Sequence, residues 1–300
     1  MQLQRFSHIQ EFYDRVQDYL LRSEAEHNLM LGILHSLMHT PERYSQPPYL
    51  AICTSGHPTP EPMPKDLDNP ATSNAILAVA IRTPPYKLVL SKALDLSALT
   101  LIAQDLQHDS QPPSGVSGLV TEVEAFLQAW QRLTKQSYRQ VMDMRIHQLT
   151  QVNPVITANG YLRLATEADR SLLLDWCTAF IAEIGEVVSE TPERIVDSGL
   201  KRQQMYLWED GIPVSWANGS RSLPTAARIG PVYTPPEYRR KGYATACVAA
   251  LSQTLLEQGC DRCFLFTDLA NPTSNHIYQQ IGYDPVCDWQ DYSFIAKESV

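Results

Sequence analysis

The chain has 300 residues, 44% of them hydrophobic, which is enough to bury one large core or two smaller ones. Acidic residues outnumber basic ones by 33 to 24, and the net charge of −9 argues against an extended nucleic-acid surface. No apolar run reaches the length of a membrane helix and the polar N-terminal stretch differs from a signal peptide, so we expect a cytoplasmic protein without a membrane partner. Six scattered cysteines fit reduced thiols, and we expect no metal site.

The first half of the chain has the pattern of an α/β module. Its predicted elements are one or two helices over residues 9–39, a strand at 49–53, a proline-rich loop at 57–70, a hairpin over 74–90 around Pro84-Pro85, helices at 98–107 and 122–134 with a turn at 111–117 between them, and a mixture of helix and strand over 138–152.

The second half begins a new series of elements near residue 160. It predicts a strand at 161–165, a helix through 184, a helix capped by Thr191-Pro192, a hairpin over 205–218 with Asp210-Gly211 in the turn, a strand at 226–234, a loop and helix from 239 onward, a strand at 263–267, and a helix from Asn271 to a stop at Gly282.

The loop Arg239-Arg240-Lys241-Gly242-Tyr243-Ala244 joins a predicted strand to a predicted helix. The unpaired N–H groups and the positive end of the dipole at a helix N-terminus bind phosphate groups well. Gly242 permits close approach of the backbone, so the loop fits a diphosphate site. Many strand-to-helix turns contain glycine and basic residues and bind nothing, and this alternative stays open for the loop taken alone.

With the following strand, the helix that starts at Asn271-Pro272, and the Tyr278 to Tyr283 segment, this loop resembles the GNAT superfamily of acyl-CoA-dependent N-acetyltransferases. The resemblance covers roughly residues 160–294. It implies an α+β fold with a mixed sheet, acetyl-CoA as co-substrate, and direct attack by a primary amine of a small molecule on the thioester in a ternary complex. The alternatives are an acyl-CoA sensor or scaffold without turnover, and an acyltransferase that uses a longer acyl donor.

We expect two domains, an N-terminal α/β domain over residues 1–155 and a GNAT domain over 156–300. The N-terminal half has the same order of predicted elements, but it contains no Arg-x-x-Gly-x-Ala loop. Residues 115–118 stand where such a loop could fall, without the basic residue. The first domain is therefore either a degenerate GNAT-like copy or an unrelated α+β module.

The resemblance implies that the pantetheine arm of the cofactor pairs with the end of the strand at 226–234, that the N–H of Tyr233 or Thr234 polarises the thioester carbonyl, and that Asn271 binds the arm, with Asn275 assisting. An ordinary strand end and a helix N-cap are the alternative roles. The residues expected at the cofactor are Val232, Tyr233, Thr234, Arg239, Arg240, Lys241, Gly242, Tyr243, Ala244, Thr245, Asn271 and Asn275.

The resemblance also implies catalytic groups. Tyr278 lies two helical turns after Asn271 on the same face, where its phenol would protonate the leaving thiolate, and a core tyrosine is the alternative. Some members of the superfamily carry, on the strand before the Asn, a carboxylate that acts as the general base. Phe266 occupies that position here, so Asp268 and Glu183 are the candidate bases. An acceptor with a lowered pKa or a water chain would need no dedicated base.

Acidic residues are dense from Glu183 to Asp197. Their field would favour a cationic acceptor amine, whereas the alternative interpretation is a solvated helix end.

Overall fold

The computed structural model describes residues 1–56, 75–155, 158–185 and 190–295. The chain divides into two compact units: the first unit is Met1–Asp143 with Asp288–Val300, and the second unit is Met144–Cys287. The proline-rich segment expected as a loop over 57–70 lies outside the described residues. The domain boundary expected between residues 155 and 156 stays a prediction.

The first unit consists of a mixed sheet with helices. Its elements are β1 (Gln2–Arg5), α1 (Ile9–Leu21), α2 (Glu24–His39), β2 (Tyr49–Thr54), β3 (Ile76–Arg82), β4 (Leu88–Leu90), α3 (Ser97–Leu106), β5 (Gly115–Leu119), α4 (Val120–Thr134) and the first half of β6 (Tyr138–Leu149), together with the end of the C-terminal strand β12 (Asp284–Phe294). The strand order is β1-β2-β3-β4-β5-β12, and only β4 and β5 run parallel.

The second unit repeats this series of elements. It contains β7 (Tyr161–Leu164), α5 (Arg170–Ile184), α6 (Pro192–Lys201), β8 (Met205–Glu209), β9 (Pro213–Ser220), β10 (Ala226–Tyr233), α7 (Tyr243–Glu257), β11 (Arg262–Asp268) and α8 (Pro272–Ile281). Its strand order is β7-β8-β9-β10-β11-β6, with β10 and β11 the parallel pair. The fold class expected from the sequence, α+β with a mixed sheet, is confirmed.

The core of the second unit lies on both faces of its sheet. On one face α7 packs against Ala217, Ala227 and Leu265, while on the other face α5 and α6 cover Trp216 and Tyr233. Small residues let α7 approach closely: a Cβ placed on Gly219 would lie 3.1 Å from a Leu251 methyl carbon. The position of α7 therefore depends on this strand surface.

Two expectations for the first unit were wrong: residues 138–149 are strand throughout, and residues 115–117, expected within a turn, belong to β5. The strand β1 was not predicted. The glycine at 115 has a packing reason, because a Cβ there would lie 2.0 Å from the carbonyl oxygen of Tyr292 in the paired strand. In element order, the strand-to-helix loop of the first unit lies instead between β4 and α3, at residues 91–96.

Candidate functional site

The two parallel strands of the second unit separate along their length. β10 pairs with β11 only from Ala226 to Arg228, although β10 continues to Tyr233. The register of β10 against β9 shifts between Ile229 and Val232, where Gly230 has a φ of +131°. The end of β10, including Val232 and Tyr233, is therefore not paired with β11 along this edge, and its peptide groups can pair with an extended ligand.

The loop before α7 has the geometry of an anion site. Gly242, the N-cap residue, has a φ of +82°, and Arg240 has a φ of +62°, a left-handed conformation that is strained for arginine. The first N–H of this segment that bonds to the backbone is that of Ala246, which donates to the Gly242 carbonyl at 2.9 Å. Among the described residues, no protein acceptor contacts the N–H groups of residues 240–245.

The side chains of this segment are only partly tied to the protein. Arg240 is exposed, and Lys241 is also exposed, with its amino group 5.6 Å from the ring centre of Tyr238. Neither forms an ion pair with any described residue. The hydroxyl of Tyr243 donates to Asp210 at 2.6 Å and fixes the first turn of α7 to the turn between β8 and β9. Ala244 and Thr245 follow in the same partly buried turn.

In the first unit, N–H groups of the corresponding loop donate hydrogen bonds to acceptors of the protein itself. The N–H of Ala93 donates to the Glu122 carboxylate at 2.9 Å, the N–H of Lys92 to Nε2 of His27 at 3.0 Å, and the N–H of Ser97 to the Asp95 carboxylate at 2.9 Å. Burial lowers the pKa of His27, which keeps this ring neutral and able to accept. The N–H groups of the loop before α3 are thus bonded to the protein, whereas those of the loop before α7 have no acceptor among the described residues.

A hydroxyl cluster supports the end of β10. The Ser215 hydroxyl donates to the Tyr233 carbonyl at 3.2 Å and lies 2.8 Å from the Thr234 hydroxyl, and it is close enough to the Cys247 thiol to influence the pKa of that group. Burial raises the pKa of Cys247 to about 12. The strand end and the second turn of α7 therefore meet at Ser215.

Tyr278 lies at the same place. Its ring packs in the core beside α7, 6.0 Å from the ring of Tyr283, and close enough to Cys247 for the two groups to interact electrostatically. Burial raises the pKa of Tyr278 well above its ordinary value, so the phenol is protonated at neutral pH. Among the described residues, none hydrogen-bonds its hydroxyl, which leaves the proton available to a ligand.

The candidate base Glu183 is paired. Its carboxylate accepts two hydrogen bonds from Arg239, at 2.7 and 2.9 Å, and the Nε of the same arginine donates to the Thr234 carbonyl at 2.8 Å. Both side chains are close to half exposed. Arg239 therefore connects the end of α5 to the strand end, and it presents its charge to Glu183 instead of to the loop.

Asn271, Asn275 and Asp268 organise the start of α8. Asn271 is its N-cap and accepts from the Ser274 N–H at 3.1 Å. Asn275 accepts from Thr267 at 2.6 Å and donates to the carbonyls of Asp268 and Asn271. The exposed Asp268 carboxylate accepts from the Ala270 N–H at 2.8 Å. These contacts support the loop, and a role for any of the three side chains toward a ligand stays a prediction.

Most of the described acids between Glu183 and Asp197 are engaged. Asp197 pairs with Arg170 at 2.6 Å, Glu183 with Arg239, and Glu193 lies in the first turn of α6, where hydrogen bonds lower its pKa. Paired carboxylates produce a weaker field at a distance than free ones, so this segment gives little support for a cationic acceptor.

Arg228 was not identified as a candidate site residue from the sequence. Arg228 is the one charged residue in the otherwise apolar or small-residue strand Ala226–Tyr233, and its guanidinium carbon lies 5.4 Å from the ring centre of Phe266. A lone arginine in an apolar strand was the available signal.

Among the described residues, no group of three or more histidine, cysteine or acidic side chains could hold a metal ion, and all six cysteines are free thiols. In the same residues we find no helix with the length and apolar character that a membrane crossing requires.

Comparison with known proteins gives the same family as the motifs. The profile described as "Acetyltransferase (GNAT) family" matches residues 173–283. A curated relative, aminoglycoside N(6')-acetyltransferase type 1 of Serratia marcescens, is 31% identical over 75 residues, which are 25% of this chain and 51% of that protein. The chain thus spans about half the length of this relative.

Solved structures resemble the chain in fold. An acetyltransferase of the GNAT family from Colwellia psychrerythraea has a TM-score of 0.56 at 11% identity and covers 99% of this chain and 100% of its own. A Drosophila protein has a TM-score of 0.65 at 10% identity and covers 98% of each chain. A GCN5-related N-acetyltransferase from Kribbella flavida has a TM-score of 0.53 at 14% identity and covers 74% of this chain and 88% of its own.

The likeness in fold extends over both units, because two of these structures cover nearly the whole chain. The profile match falls on residues 173–283, which include the diverging strands, the free N–H groups before α7 and the start of α8. Residues 173–283 therefore match the GNAT family of acetyltransferases.

Proposed function

We propose that the protein is an acetyl-CoA-dependent N-acetyltransferase that transfers the acetyl group directly from the thioester to a primary amine of a small molecule. The observation that carries the proposal is the contrast between the two loops. The N–H groups before α7 have no protein acceptor among the described residues, whereas those before α3 are bonded to Glu122, His27 and Asp95. Free N–H groups at a helix N-terminus fit the diphosphate of coenzyme A.

The edge of β10 supports binding of the extended pantetheine arm. Because β10 and β11 separate after Arg228, the edge of β10 at Val232 and Tyr233 is not paired with β11 and can pair with an extended ligand, while the carbonyls of Tyr233 and Thr234 accept hydrogen bonds from Ser215 and Arg239. We assign polarisation of the thioester carbonyl to the N–H of Tyr233 or Thr234. The Ser215 hydroxyl, which accepts or donates within this cluster, holds that strand end in place.

Tyr278 is the proposed proton donor to the leaving thiolate. Its phenol is protonated, its hydroxyl has no hydrogen-bond partner in the described part of the chain, and it lies beside Cys247 near the start of α7. A positioned acid of this kind contributes about 100-fold or more to a rate.

The cysteines favour direct transfer over an acetyl-cysteine intermediate. Thiolates are the reactive form of cysteine, and burial raises the pKa values of Cys247, Cys263 and Cys53 to about 12. Neutral, buried thiols are poor nucleophiles, so the acceptor amine itself attacks the thioester carbon.

No dedicated base is assigned. Glu183 is paired with Arg239, and the Asp268 carboxylate is bonded to its own loop. We propose that the acceptor reaches the site as the neutral amine or loses its proton to water. The name of the Serratia relative, an aminoglycoside N(6')-acetyltransferase, supports an amine on a small molecule as acceptor. Action in the cytoplasm stays a prediction.

The proposal is tested by incubating the protein with acetyl-CoA and a library of primary amines, measuring thiol release and the mass of the acetylated product. Amine-dependent thiol release with an acetylated amine is expected. Binding of acetyl-CoA without release for any amine would indicate a sensor or scaffold, and faster release from longer acyl-CoA thioesters would indicate another donor. Absence of acetyl-CoA binding at millimolar concentration would overturn the proposal.

A further inference from the structure

Arg228 occupies the last position of β10 that still pairs with β11. Its neighbours Ala227 and Ile229 point into the core beneath α7, so the side chain of Arg228 points to the opposite face of the sheet. Across the strands it pairs with Ser220 of β9 and Phe264 of β11. The arginine therefore lies where the strands begin to separate, on the face away from the helix that carries the free N–H groups.

The guanidinium of Arg228 has no counter-ion in the part of the chain that the structure describes. Three other arginines of the second unit are paired: Arg163 with Asp169, Arg170 with Asp197 and Arg239 with Glu183. Among the described residues, Arg228 has neither a carboxylate nor a hydrogen-bond acceptor, and its contact is with the face of Phe266. Loss of hydration lowers the pKa of Arg228 to about 10, so it remains charged at neutral pH.

A charged group that is partly removed from water and lacks a partner destabilises the fold. An apolar side chain would cover Phe266 without this cost, so packing alone gives no reason for arginine. The guanidinium group is planar, and its fork of N–H donors suits bidentate binding of a carboxylate.

We propose that Arg228 binds a carboxylate of the acceptor, so that the acceptor class is a small amine that also carries a carboxylate group. This inference rests on the proposed function and deepens it. The donor thioester enters from the α7 side, and the acceptor lies on the other face of the same strands. The amine nitrogen bonds to the thioester carbon, the carbon–sulfur bond breaks, the amine proton passes to water, the thiolate takes the proton of Tyr278, and the Tyr278 phenolate regains a proton from water. The acceptor carboxylate is unchanged.

The first test compares amino acids with their carboxamides as acceptors, in the wild type and in R228Q, R228K and R221Q. The wild type should prefer each acid over its amide by about tenfold or more in kcat/KM, through KM. R228Q should lose this preference with unchanged affinity for acetyl-CoA, R228K should retain part of it, and R221Q, at an exposed position in the β9–β10 loop, should retain all of it. Equal use of acids and amides by the wild type, or preference for aminoglycosides that R228Q leaves unaffected, would overturn the inference.

The second test needs no turnover. The side-chain Nε–H resonance of Arg228, assigned by its loss in R228K, is followed by NMR while the whole protein is titrated with the same acids and amides. A shift with the acids only is expected. If that shift occurs without any transfer, the proposed function fails and the carboxylate site stands; if transfer occurs without a shift, the carboxylate site fails and the proposed function stands.

Discussion

At the scale of single residues, the roles in this site depend on neighbours that are distant in sequence. The place of Tyr278 two helical turns after Asn271 was predictable from spacing, and the N-cap role of Asn271 was predictable from its Asn-Pro start, while the catalytic role of Tyr278 stays a prediction. The pairing of Glu183 with Arg239 was not, because it joins residues 56 positions apart through the tertiary fold. Local spacing indicates where a side chain lies on its element, while its partner is set by packing.

Replacing Tyr278 by phenylalanine should remove the proton donor and leave the packing of the ring intact. We expect kcat with a good amine to fall by roughly 100-fold, while affinity for acetyl-CoA changes little. The control Tyr161→Phe removes an exposed hydroxyl that bonds to Glu209 and should leave kcat unchanged. Unchanged kcat in Tyr278→Phe, measured by thiol release, would show that this tyrosine is a core residue only.

Replacing Asp268 by asparagine tests the absence of a dedicated base. Its carboxylate bonds to the Ala270 N–H, which an asparagine oxygen can replace. We expect kcat/KM to change by less than about threefold, and to rise with pH in both proteins until the acceptor amine is neutral. A loss of the pH dependence together with a large fall in kcat/KM in the variant would identify Asp268 as the base.

Replacing Asp169 by asparagine should cost stability in a pH-dependent way. Hydrogen bonds from Arg163 lower the pKa of Asp169 to about 2, below its unfolded value, so the ionised form stabilises the folded state. This contribution is present above about pH 4 and is lost as the pH falls toward 2. We expect a loss of about 1–2 kcal/mol at pH 7, since the pair is partly screened by solvent, and about half of it at pH 3.

Thermal unfolding of Asp169→Asn at the two pH values measures this effect. Asp175→Asn, at an exposed position on the following helix, is the control and should match the wild type. An equal loss at both pH values would mean that the ion pair is not its source.

At the scale of elements, both units have the same order of strands and helices, and the sequence predicted most of them. Helices with clear apolar periodicity and caps, such as α4 and α8, lie within two residues of their expected bounds. The structural roles of the glycines could not be predicted. Gly115 allows close pairing of two strands, whereas Gly242 adopts a left-handed conformation in a turn, and the sequence alone does not distinguish the two cases. The hydrogen bonding of the loop before α3 could not be predicted either, since two of its acceptors, His27 and Glu122, lie in α2 and α4.

Replacing Gly242 by alanine should disturb the loop before α7. The φ of +82° is strained for alanine, although the nearest atom, the Ala158 Cβ, is 3.7 Å away and leaves room for a methyl group. We expect about 1 kcal/mol of destabilisation and a roughly tenfold weaker affinity for acetyl-CoA, measured by calorimetry. Gly259→Ala imposes similar strain just after the other end of α7, in open space, and should leave affinity unchanged. Equal affinities in the two variants would place the diphosphate elsewhere.

At the scale of the whole molecule, the units do not follow the order of the chain. Residues 144–149 pair with β11 in the second unit, and residues 289–293 pair with β5 in the first. This exchange of strands could not be predicted from the sequence, because the partner of a strand is determined by the completed sheet. Near the end of the chain, Trp289 donates to Ser117 at 2.7 Å and Phe294 stacks on Trp130 at 5.2 Å, so the C-terminal strand completes the first unit.

A chain ending at Cys287 should therefore lose the folded first unit. We expect rapid proteolysis within residues 1–143 and a lower unfolding temperature, because the truncation exposes one edge of β5 and part of the core around Trp130. Phe294→Ala in the full chain should show the same trend to a smaller degree. Proteolysis no faster than in the full-length protein would contradict the assignment of this strand to the first unit.

The central claim is that the loop before α7 binds the diphosphate of acetyl-CoA while the loop before α3 is closed by the protein's own acceptors. Calorimetric titration of the whole chain with acetyl-CoA tests it most directly. The account predicts binding of one molecule per chain, weakened in Gly242→Ala and retained in Gly259→Ala. No binding at millimolar acetyl-CoA, or binding of two molecules per chain, would contradict it.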